Sequence, residues 1–276
     1  MDLSILKDTP PWDWPEDTAN RLLDILRNRE ANQTDRKLAA ELAGTSTVIN
    51  DDIGSALLSI VCDSEETQDT RAAAAIALGP ALEHAGSIGF EDPDDILLSE
   101  QAIRHIQESL RKLYLNAAVP DEVRRNILEV AVRAPQDWSR DAVRAAYASP
   151  DEAWSLTAVF GMRFVPGFED QIIEALTSPN QDIYYQAVCA AGNWEIDAAW
   201  PHIETILRAD SVDKPLLLAA IEAAVSVRPQ AAVGLLTELT DSEDEDIADA
   251  AFEALAMAEA PLAFDDEDDE DDLERW

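Results

Sequence analysis

Thr70-Arg71-Ala72-Ala73-Ala74-Ala75-Ile76-Ala77-Leu78-Gly79 is a run of helix formers opened by a threonine and closed by a glycine. It reads as one small-residue helix with stop and start signals at its ends. The pattern occurs once before, at Asp35-Arg36-Lys37-Leu38-Ala39-Ala40-Glu41-Leu42-Ala43-Gly44. It returns in five later segments starting at Val123, Ala153, Ile183, Leu216 and Ile247, which begin 30, 30, 33 and 31 residues apart. A period of this size marks stacked structural repeats, each too small to bury its own apolar face and therefore stabilised by its neighbours.

After these segments come amphipathic stretches at 53–62, 103–115, 138–148, 171–176, 199–207 and 231–239. In them, apolar residues such as Ile203, Ile206 and Leu207 or Val233, Leu236 and Leu239 recur at helical spacing. Each unit thus reads as helix, turn, helix, with breaks at Ala134-Pro135, Ser149-Pro150-Asp151, Ser178-Pro179-Asn180 and Arg228-Pro229. No stretch alternates apolar and polar residues between hairpin turns. The expected fold is all-α, a right-handed α-solenoid of about seven two-helix repeats in one elongated domain over residues 17–262. Thr70 and Val123 stand 53 residues apart, so an insertion of loop-like composition is expected at about 84–102. Residues 1–16 read as a cap in which Pro10-Pro11-Trp12-Asp13-Trp14-Pro15 covers the first repeat, and residues 263–276 as a disordered acidic tail.

The acidic turn, apolar residue, Arg and alanine run ending in Leu78-Gly79, echoed at Asp246-Ile247-Ala248-Asp249-Ala250-Ala251-Phe252-Glu253-Ala254-Leu255, resembles the short HEAT-like repeats of the phycobilisome-lyase type over roughly residues 17–260. The resemblance implies the fold strongly and the function weakly, because that class includes scaffolds, lyase subunits, a hydroxylase and DNA-repair proteins. The hydroxylase members carry His-Glu dipeptides as iron ligands, and this chain has only the reversed Glu83-His84.

With 20 basic and 57 acidic side chains the formal net charge is −37. Such a chain repels polyphosphates and anionic bilayers, so direct nucleic-acid and membrane binding are not expected. The charge is uneven: 104–144 holds eight basic and six acidic residues, whereas 210–274 holds two and twenty-one. Lysine is scarce, four against sixteen arginines, a balance that suits halophilic adaptation as well as an acidic binding surface. The run Asp265-Asp266-Glu267-Asp268-Asp269-Glu270-Asp271-Asp272 is a single-sign block. Residues 1–16 lack the basic-then-apolar pattern of a signal peptide, and a cytoplasmic protein is expected. Cys62 and Cys189 lie in different repeats within apolar stretches and read as buried small hydrophobes.

His84, His105 and His202 are scattered, and no Cys-x-x-Cys, phosphate-binding glycine loop or Gly-x-Ser-x-Gly is present. No metal, cofactor or catalytic group is therefore expected. At the second position of the aligned helices, where Arg71 and Arg124 stand, later repeats carry Trp154, Tyr184 and Leu217. Equivalent positions line up in a solenoid, so these residues, extended by Tyr185, Trp194 and Trp200, are expected to form a stripe for a partner. The function expected is a non-enzymatic scaffold binding a protein partner, for which the charge makes a basic one the candidate, through an acidic and partly aromatic surface. The alternatives are a bilin-lyase-like subunit and an acidic mimic of nucleic acid.

Overall fold

The computed structural model describes residues 3–92, 95–209 and 211–259, and among these there are helices and turns but no strand. The acidic run 265–272 lies outside the described residues. The described residues divide between two compact units, one ending at Phe168 and the other beginning at Glu169, where the sequence suggests one unbroken domain.

The first unit contains α1 (Leu3–Lys7), α2 (Thr18–Arg27), α3 (Gln33–Ala43), α4 (Asp51–Cys62), α5 (Gln68–Ala77), α6 (Gly79–Ile88), α7 (Glu100–Leu115), α8 (Asp121–Ala131), α9 (Ser139–Tyr147) and α10 (Glu152–Gly161). The second contains α11 (Glu169–Ala175), α12 (Gln181–Asn193), α13 (Trp200–Leu207), α14 (Lys214–Val227), α15 (Pro229–Leu239) and α16 (Glu245–Glu259). All seven small-residue segments fall in α3, α5, α8, α10, α12, α14 and α16, and all six amphipathic stretches in the intervening helices. The chain is a helical-repeat protein.

The repeat frame differs from the one the sequence suggests. Each small-residue helix packs in a hairpin with the helix before it: α2 with α3, α4 with α5, α7 with α8, α9 with α10, α11 with α12, α13 with α14 and α15 with α16. Short turns such as 28–32, 63–67, 116–120 and 176–180 join the two helices of these hairpins. Within the first unit α3, α5, α8 and α10 stack in one layer, and α2, α4 and α7 in the other; within the second, α12, α14 and α16 form one layer, and α13 and α15 the other. The turns also supply helix caps. Oδ1 of Asn32 accepts from the Thr34 amide at 2.8 Å, Oγ1 of Thr67 from Thr70 at 3.2 Å, and Oδ1 of Asn180 from Asp182 at 2.9 Å.

Fully buried Leu22, Ile53, Leu57, Leu110, Ile127 and Leu128 form the core of the first unit. Each such burial is worth about 1.5–3 kcal/mol. Close approach of neighbouring helices within a layer depends on glycine: a Cβ on Gly44, at the end of α3, would stand 2.4 Å from the Ala77 carbonyl oxygen of α5 and 2.7 Å from its Cα. Three of the hairpins share one polar device. Arg71 Nε donates to the carbonyl oxygen of Val61 at 2.9 Å, Arg124 Nε to that of Tyr114 at 2.9 Å, and Arg36 Nη2 to that of Leu26 at 2.9 Å. In every case the acceptor lies ten residues earlier, in the last turn of the preceding helix, whose final carbonyls have no partner within their own helix.

Three expectations need correcting. The stretch at about 84–102 is not all loop: Pro80 sits at the start of α6, which runs to Ile88 and packs on α8, and α7 begins at Glu100. Cys62 closes α4 and is exposed, while Cys189 is half-buried. In the N-terminal cap, Trp14 Nε1 donates to the carbonyls of Leu6 at 3.1 Å and Thr9 at 2.8 Å, whereas Trp12 is 79% exposed.

Candidate aromatic groove

The second helical position, expected to carry a surface stripe, points inward in four repeats and is half-buried at Arg124 and Tyr184. Arg36, Arg71, Trp154 and Leu217 are all buried there. At Arg36, Arg71 and Arg124 this position reaches the end of the preceding helix, and Trp154 and Leu217 are buried apolar side chains at the equivalent position. Trp154 lies edge-on to Tyr114, ring centroids 6.4 Å apart at 75°, and Tyr114 lies 5.1 Å from Trp138. The Arg124 guanidinium sits 5.5 Å from the ring centroids of both Tyr114 and Trp154. Burial pushes the Tyr114 phenol up in spite of Arg124. Trp154 is thus core, and so is Trp200 at the start of α13.

Tyr184 and Tyr185 behave differently. Both are half-buried on the first turns of α12 and line a groove of about 610 Å³ with Val212, Pro215 and Leu216 from the segment leading into α14. Leu216 takes the place the sequence suggests for Leu217, because adjacent helical residues are rotated by about 100° and Leu217 is the buried one. Asp182 and Asp213, both exposed, complete the rim with Gln181 and Gln186. Partial burial pushes the Tyr184 phenol up, so it stays a neutral ring and hydroxyl. Trp194 is exposed but follows the last turn of α12. Ten residues at 1.5 Å each place it about 15 Å from Tyr184.

The groove therefore brings together Tyr184 and Tyr185 of the expected residues and leaves Trp154, Trp194, Trp200 and Leu217 apart. Its carboxylates went unnoticed in the sequence because Asp182 and Asp213 stand beside helix starts and read as capping residues. Chemically the site offers π faces, an apolar wall and two carboxylates, a set that accepts an arginine or lysine side chain. Among the described residues no group of three or more His, Cys, Asp or Glu could hold a metal ion. None of their helices is long and apolar enough to cross a membrane.

No family model matches this chain, and no curated protein matches it. Among solved structures, YibA of Escherichia coli is similar at 14% identity, covering 89% of this chain and 84% of its own, with a TM-score of 0.47. Human deoxyhypusine hydroxylase in complex with glycerol is similar at 14% identity over 94% of this chain and 96% of its own, with a TM-score of 0.39. A designed armadillo repeat protein is similar at 14% identity over 86% and 98%, with a TM-score of 0.35.

Proposed function

We propose that this chain is a non-enzymatic helical-repeat scaffold, of the HEAT-like kind its sequence resembles, that binds a basic protein partner through the tyrosine groove of the second unit. The observation that carries this reading is the placement of two half-buried tyrosine rings beside Asp182 and Asp213. Tyrosine concentrates binding energy at interfaces because it removes a large rigid ring from water while keeping a polar tip. A guanidinium seated on such a ring and paired with a carboxylate gains from both. The net charge of −37 steers cationic partners toward the chain and makes the association rate fall with salt.

The test is affinity capture from the source lysate at low and high salt, comparing the unaltered chain with Tyr184→Ala/Tyr185→Ala and with Asp182→Asn/Asp213→Asn. The expected result is one reproducible lysine- or arginine-rich protein whose recovery drops in both double variants. Recovery indifferent to both, or isolation of the chain with a bound small molecule and no protein, overturns the reading.

A further inference from the structure

A second groove lies wholly within the first unit. About 750 Å³ in volume, it runs over α5 between α3 and α8. Its floor is the outer face of α5, where Ala72 and Ala73 are half-buried and Ile76 is 39% exposed. The walls carry Glu41 from α3 and Glu122 from α8, with Asp69 at the start of α5. Lys37 is the basic residue of the lining, and its ammonium already faces Asp69 at 3.8 Å.

We propose that this trough is a docking site for an amphipathic helix of a partner protein, with a small apolar face and lysine or arginine on its flanks. Four features carry the argument. The alanine floor is lower than its walls, so an incoming helix axis comes within the roughly 8–10 Å of ordinary helix packing. From Asp69 to Ala77 the floor extends about 12 Å, just over two turns of helix. Ile76 sits in the middle as an exposed apolar contact in a charged surround. The walls are helices whose backbone groups are already paired, so an extended peptide laid between them would leave its own N–H and C=O groups without partners, whereas a helix satisfies its own.

Charge selects the occupant. Three carboxylates against one committed lysine favour a cation-flanked helix, and a second copy of a chain with net charge −37 is repelled. This groove shares no residue with the tyrosine groove, so the two proposals stand or fall separately.

The experiment uses the full chain and a fluorescein-labelled helical peptide of about 14 residues, roughly 21 Å of helix, with alanine and leucine on one face and lysines flanking it. Its control is a scrambled peptide of the same composition. Fluorescence anisotropy is expected to show the amphipathic peptide binding about tenfold more tightly than the scrambled one, and Ala73→Arg abolishing that preference. Glu41→Gln with Glu122→Gln, both exposed and harmless to folding, is expected to weaken binding about threefold and flatten its salt dependence. Tyr184→Ala/Tyr185→Ala is expected to leave it unchanged. Equal affinity for the scrambled peptide, no binding, indifference to Ala73→Arg, or loss in the tyrosine variant overturns the proposal. Circular dichroism melting of each variant separates lost binding from lost fold.

Discussion

Arg71 reaches back ten residues and donates through Nε to the carbonyl oxygen of Val61 at 2.9 Å, tying the start of α5 to the end of α4. Arg71 is 5% exposed, so the bond is made out of water. Arg71→Met keeps most of the packing and strips the buried carbonyl of its donor, and stability is expected to fall by about 1–3 kcal/mol. Arg71→Lys should recover only part, since an ammonium lacks the rigid fork of the guanidinium. Urea denaturation with an unchanged m-value is the check.

Trp154 belongs to the Tyr114–Trp138–Arg124 cluster, and Trp154→Ala is expected to cost about 3–5 kcal/mol through the cavity it leaves. Tyr185→Ala in the tyrosine groove is expected to cost far less while weakening partner recovery. Denaturation midpoints of the two variants side by side test the division between core and surface.

Glu129 on α8 is half-buried, and burial raises its carboxyl above the ordinary 4.5, against the pull of Arg133 and Arg125. The folded state therefore holds this proton more tightly than the unfolded state, and the group's contribution to stability falls as pH rises from 4.5 through the raised value. Glu129→Gln removes the burial of that charge. The variant is expected to melt above the unaltered chain at neutral pH, with the difference vanishing below 4.5. Melting temperatures across that range settle it.

Gly44→Ala places a Cβ against the backbone of Ala77, which cannot swing aside as a side chain would. Helices α3 and α5 must separate, at an expected cost of about 1–3 kcal/mol. Gly234→Ala, whose Cβ meets nothing within 4 Å, is the control expected to be neutral or slightly stabilising. Thermal denaturation of the pair measures the difference.

The period and the alanine-rich helices were readable in the sequence because repetition multiplies a weak local signal: Thr70 to Gly79 alone is a short helix, but seven copies are a stack. The frame was not, because spacing alone does not say which of two flanking helices a turn binds. Helix α6 was missed because Gly79-Pro80 reads as a stop, and it acts here as a start. The stripe failed because its position turns toward the interior in most repeats. Arg36, Arg71 and Arg124 suggest a solvated position, and only the recurring ten-residue step to Leu26, Val61 and Tyr114 reveals that they point inward. That step was present in the sequence as a constant offset between the last turn of one helix and the arginine of the next.

Similar modules risk stacking in the wrong order during folding, with one repeat skipping its neighbour to settle on the next. Arg36 and Glu66 pair across 30 residues with side chains only 6% and 10% exposed, and Lys214 reaches Asp244 at 2.7 Å over the same interval. Arg228 finds Asp197 across 31. A skipped repeat would bury Arg36 without its carboxylate, a penalty of about 3–5 kcal/mol that correct stacking avoids. In a chain with so few cations, the positions of Arg36, Lys214 and Arg228 serve as addresses, telling otherwise interchangeable helices which neighbour is theirs.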